Sequence, residues 1–110
     1  SATKASRTMI RQLEEDQKRR SKRALTDAID RALIDLLAIY RDVLMVQVGG
    51  DGELINTDLS DLVHQIAQDS TPRQTLARVD HIETARKRLV SNGNPLLVLE
   101  DMAISLRPQA

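Results

Sequence analysis

Any chemistry in this chain would have to come from a short set of residues. The cluster Gly49-Gly50-Asp51-Gly52 follows directly on an apolar run, as a phosphate-cradling loop would. A phosphate loop needs GxxxxGK[ST], whose lysine and hydroxyl hold phosphate and magnesium, and GGDGELIN supplies neither. A dinucleotide fingerprint needs GxGxxG between a strand and a helix, whereas a long helical pattern precedes these glycines. A calcium loop needs oxygen ligands at alternating positions and a closing glutamate, which are missing too. The glycines therefore read as the end of a helix, where glycine takes the left-handed position without steric cost, and Asp51-Gly52 as the turn that follows.

The remaining candidates fare no better as catalysts. His64 and His81 fall on different helical segments, with no cysteine and no HExxH spacing, so surface or boundary positions suit them better than a metal pair. The carboxylates lie mainly on polar faces, where solvation accounts for them. The serines are scattered, and none has the context of a nucleophile elbow. No catalytic residue, metal site or cofactor is expected. The run KRRSKR, with Lys18, Arg19, Arg20, Lys22 and Arg23, could touch nucleic-acid phosphates. Its preceding turn is acidic, however, and no aromatic side chains are interleaved to stack bases.

The elements that would position these residues read as helices throughout. The chain has 110 residues, enough for one domain, and 41% of them are hydrophobic. Tyr40 is its one aromatic residue, so the core must be aliphatic, which suits packed helices better than sheets. With no cysteine there is no disulfide, which fits a reducing cytoplasm. No run is apolar enough to span a membrane and no secretory signal opens the chain. The chain begins on Ser1 rather than Met, as a piece of a longer protein would.

The net charge of zero hides an asymmetry. Residues 1–23 hold 8 of the 16 Lys/Arg but 3 of the 16 Asp/Glu, a balance of +5, which leaves residues 24–110 at −5. Residues 5–23 are polar apart from Met9, Ile10 and Leu13. They place Glu14, Glu15 and Asp16 four residues before Lys18, Arg19 and Arg20, a spacing that supports a solvated helix. Residues 1–23 are thus expected to form a polar basic helix or arm leading to a domain outside this sequence, and residues 24–110 a helical domain.

In residues 24–48, Leu25, Ile29, Ala32, Leu33, Leu36, Tyr40, Val43 and Leu44 recur at helical steps, with Asp27, Asp30, Arg31, Asp35, Arg41 and Asp42 between them. After the turn, Asn56-Thr57-Asp58 offers N-cap oxygens for a helix with Leu59, Leu62, Val63 and Ile66 facing inward. Thr71-Pro72 starts the next, whose stripe is Leu76, Val79, Ile82, Ala85 and Leu89 and whose end is Asn92-Gly93. Asn94-Pro95 starts a last helix over 95–107, apolar on most of its circumference, with Pro108 beyond it. A helix of that kind is central in a core or covered by a partner. The fold expected is all-α, a compact bundle of about four to five helices with a long first helical segment.

Three stretches carry a resemblance: RALIDLLAIYRDVLMVQVGG, LINTDL and ARVDHIETARKRLVSNGNPLLVLEDMAISL. Over roughly residues 10–107 they resemble the C-terminal domain of bacterial clamp-loader subunits, nearest to the delta-prime type of DNA polymerase III in its actinobacterial form. The positions that match are Tyr40-Arg41-Asp42, the Gly-Gly end, Asn56, and then Ala85, Arg86, Leu89, Asn92, Asn94, Pro95, Leu96, Leu99 and Glu100. The gamma/tau and delta subunits share a similar Asn-Pro and leucine-rich helix. Gly93 departs from the Val or Ala that the family pattern has there, which loosens the turn without changing the fold.

The resemblance implies a helical collar in which five such domains associate and hold nucleotide-binding AAA+ modules that lie upstream. Catalysis is then not expected of this chain, although its parent would be a subunit of the DNA polymerase III holoenzyme. The expected partners are the gamma/tau and delta subunits, with DNA reached only through the whole complex, and self-association when the domain is alone. Tyr40, Leu44, Asn94, Pro95, Leu96, Leu99, Met102 and Leu106 are the expected core and interface residues. Three other readings remain open: the same collar domain from a gamma/tau or delta subunit, a free-standing helical DNA-binding regulator using the basic first helix, and a fragment of a small helical enzyme.

Overall fold

The computed structural model describes residues 2–50, 52–91 and 94–107. Among them are four α-helices, α1 (Ala2–Gln47), α2 (Ser60–Asp69), α3 (Pro72–Val90) and α4 (Pro95–Ser105), with a single 3-10 turn over Thr57–Leu59 before α2. The all-α expectation holds, with the long first segment present as one unbroken helix of 46 residues. No glycine or proline interrupts residues 2–47, so nothing in the chain forces a break where the composition shifts near residue 24.

The helix stops at the glycines. Gly49 adopts φ 71°. Its amide donates to the Val46 carbonyl at 3.2 Å, and the Gly50 amide donates to the Met45 carbonyl at 3.0 Å. These two bonds are the Schellman pattern that closes a helix through a left-handed residue. The expected turn at Asp51-Gly52, the Asn92-Gly93 helix end and Pro108 each include residues outside those described.

The core is a three-helix seam. Ile29, Leu33 and Leu37 of α1 meet Ile82, Ala85 and Leu89 of α3 and Val98 and Met102 of α4, with Leu36, Tyr40, Val79, Leu99 and Leu106 packed around them. Fully burying one such aliphatic side chain contributes roughly 1.5–3 kcal/mol. Val43 of α1 and Val63 of α2 are also fully buried, where α2 packs against the end of α1. Asp30 of α1 and Arg86 of α3 clamp the seam's edge through a forked pair, Nε to Oδ1 at 2.8 Å and an η nitrogen to Oδ2 at 3.3 Å.

Several stripe positions behave otherwise than expected. Leu25 is exposed because it lies one turn beyond Ile29, the last α1 residue that the seam covers. Ala32 is exposed as well. Leu62 and Leu76 are exposed on the flanks of α2 and α3. The buried place beside Leu76 goes to Thr75, whose hydroxyl donates to Gln47 Oε1 at 2.7 Å. Gln47 in turn donates to the Ser70 carbonyl at 3.0 Å, so one polar side chain ties the end of α1 to the corner between α2 and α3. Leu37, absent from the expected stripe, is buried.

The cap expectations divide. Thr71 caps α3 in a reciprocal box with Gln74, and Pro72 stands at the first helical position. Asn94 caps α4, its Oδ1 accepting from the Leu96 and Leu97 amides at 3.1 and 3.3 Å. Asn56 makes no side-chain cap. Its amide group donates instead to Asp42 Oδ2 at 3.1 Å.

Candidate functional site

Among the described residues no group of three or more His, Cys, Asp or Glu side chains is placed to hold a metal ion. His64 is exposed on α2, its Nδ1 2.7 Å from the Ser60 carbonyl oxygen. His81 lies on α3.

Asp42 is the residue whose environment departs furthest from its sequence reading. Its place on the polar face of α1 groups it with the solvated carboxylates, but it is only 3% exposed. Its Oδ1 accepts from the Ile55 amide at 2.7 Å and its Oδ2 from the Asn56 amide at 2.8 Å. Burial pushes its pKa upward, but the three donors outweigh burial and hold it below the usual carboxylate value. The carboxylate is thus a staple that draws the segment after the glycines back onto α1. On α3, the hydrogen bond that Arg86 donates to Asp30 raises the Arg86 pKa against the opposing effect of burial, and the charges of Asp30 and Glu83 add to the rise.

The expected interface and core residues separate by depth. Pro95 and Met102 are buried, while Tyr40, Leu44, Leu99 and Leu106 are half-buried. Tyr40, Leu99 and Leu106 pack against the core, and the Arg78 guanidinium lies 5.9 Å from the centre of the Tyr40 ring. Asn94 is exposed and spent on its cap. Leu96 is the one apolar residue of that set that faces outward, at 54% exposure.

Beside it, α4 exposes two residues not singled out from sequence, Leu97 at 57% and Ile104 at 58%. The signal for them was present. Pro95, Val98 and Met102 fix the inward direction of α4. At about 100° per residue, Leu97 and Ile104, seven apart, then fall together on the opposite side. Glu100 and Asp101, between them in sequence, are exposed. The outward side of α4 is therefore an apolar strip with carboxylates within it. It has no cover among the described residues.

The basic residues Lys18, Arg19, Arg20, Lys22 and Arg23 are all exposed on the first half of α1. At helical spacing they spread over an arc of about 200°, not one stripe. The acid–base pair that closes there is Arg19 with Asp16, three residues apart, in place of the four-residue pairs expected. Met9, Ile10 and Leu13 are exposed on the same stretch.

Comparison with known proteins bears on this arrangement. The family described as DNA polymerase III, delta subunit, C terminal, matches residues 4–107. The DNA polymerase III subunit delta' of Bacillus subtilis (strain 168) is 38% identical over 72 residues, covering 66% of this chain and 22% of that protein. The chain thus spans about a fifth of the length of the curated relative it matches. No solved structure matches it. The expected resemblance holds: the chain belongs to the family of C-terminal domains of the DNA polymerase III delta type, with particular similarity to delta-prime.

Proposed function

We propose that this chain is the non-catalytic collar domain of a delta-prime protein, joining neighbouring subunits of a pentameric clamp loader that places the sliding clamp on primed DNA. The observation that carries this reading is the outward side of α4, where Leu96, Leu97 and Ile104 stay more than half exposed. An apolar helix face of this kind, with polar residues beside it, is what an interface between subunits covers. The gamma/tau and delta subunits are its partners, and contact with DNA comes through the whole complex. The first half of α1, with Lys18 to Arg23, leads towards the AAA+ modules of the parent chain, in a cytoplasmic assembly.

The test is capture of this domain by the gamma/tau and delta subunits, read by size exclusion with light scattering. Stoichiometric complexes are expected. Leu97→Asp should keep the fold and lose the complex, because Leu97 faces outward. Leu99→Asp should lose the fold, because Leu99 packs on the core. A folded Leu97→Asp, Ile104→Asp double variant that assembles as well as the parent would refute α4 as the joining surface.

A further inference from the structure

A second surface lies at the other edge of the α3–α4 pair. Arg73, Gln74, Arg78 and His81 of α3 and Ser105 and Arg107 at the end of α4 line a groove of about 200 Å³. No carboxylate is among its described lining residues, which also include Ala77. That is unlike the rest of the body, since residues 24–110 hold 13 Asp/Glu against 8 Lys/Arg. Three of those eight cations line the groove, two from α3 and one from just past the end of α4.

Two of the donors are also held in place. Arg78 lies half-buried over the Tyr40 ring. Gln74 Oε1 accepts from the Thr71 amide at 2.9 Å, which pins the side-chain amide and leaves its NH2 end to donate. The N-terminal turn of α3 adds the positive end of a helix dipole. Three guanidinium groups lining one groove suit a tetrahedral anion with several acceptor oxygens better than a planar carboxylate with two.

We infer that this α3–α4 groove binds phosphate groups, with Arg73, Arg78 and Arg107 as the charged donors and Gln74 and His81 as auxiliary ones. The phosphate comes either from a small phosphate species or from a nucleic-acid strand. The groove is separate from the outward side of α4, so its failure leaves the assembly reading untouched.

The experiment is an amide-resolved NMR titration of the folded chain with inorganic phosphate, with a short oligothymidylate and with a poly-glutamate peptide. Phosphate is expected to shift resonances at Arg73, Arg78, His81 and Arg107. Saturation by phosphate alone identifies a small phosphate ligand. Tighter binding of the oligonucleotide identifies a strand, with a slope of about −2 for log affinity against log salt if three phosphates are met, at about −0.7 each. Arg73→Gln with Arg107→Gln should weaken binding at least about tenfold, since losing one charge-assisted bond is worth about a decade. Arg107→Gln alone lies beyond α4 and cannot disturb a helix, so it serves if the double variant fails to fold. Shifts confined to residues 18–23, unchanged affinity in the folded variant, or tighter binding of poly-glutamate would each overturn the assignment.

Discussion

The most informative single residue is Asp42. In sequence it sits between Arg41 and Val43 on an amphipathic helix, the usual place of a solvated acid, and only the return of residues 55–56 onto α1 buries it. That return depends on contacts 13 and 14 residues away, which no local period reports. Thr75 was hidden for a similar reason, because its partner Gln47 is 28 residues distant. Asp42→Asn should cost about 2 kcal/mol at neutral pH, since the amide cannot accept from all three donors as the carboxylate does. The folded pKa of Asp42 lies below its ordinary 3.8, so the unfolded chain binds the proton more readily. The carboxylate's contribution is therefore complete above that ordinary value and disappears as pH falls through the lower folded one. Urea midpoints of the parent and Asp42→Asn should differ clearly at pH 7 and draw together as pH falls below 3.8. Equal midpoints at pH 7 would mean the staple adds nothing to stability.

At the scale of elements, the starts of α3 and α4 were legible because capping chemistry is local. Thr71-Pro72 and Asn94-Pro95 each supply an acceptor and a residue with pre-set φ within two positions. The start of α2 misled, because Asn56 has the right chemistry but Asp42 recruits its side chain first. Each working cap should be worth about 1 kcal/mol, so Thr71→Ala and Asn94→Ala are expected to lower stability by that amount apiece. Asn56→Ala should act through Asp42 instead, and its effect should vanish in an Asp42→Asn background. Chemical denaturation of the single and double variants checks this: additive losses for Asn56 and Asp42 would show that the two act independently. The depth of each stripe was less legible than its direction. Leu25 fits the helical period but lies past the end of the seam, and Leu62 and Leu76 stand on the flanks beside the buried Val63 and Thr75.

The whole molecule is set by the disparity between α1 and its partners. A 46-residue helix at about 1.5 Å per residue is about 69 Å long, and the molecule measures 72 × 29 × 19 Å. Its radius of gyration is 20.0 Å, against roughly 13 Å for a compact chain of this length. The excess is the first half of α1, which is exposed at nearly every position before Ile29. A helix without tertiary cover is marginal in water, but here the packed half of α1 provides the nucleus and the rest needs only to propagate from it. Helical order should therefore weaken steadily towards the N-terminus. Hydrogen exchange should find amides of residues 33–43 opening only with global unfolding, and those of residues 5–20 exchanging close to unprotected rates. Replacing Lys18, Arg19 and Arg20 by Gln should leave core protection within about 0.5 kcal/mol, because those side chains touch nothing in the body. Core-like protection over residues 5–20 would mean that Met9, Ile10 and Leu13 have found a cover. Its dependence on protein concentration would then tell a second copy of the chain from a fold-back within one molecule.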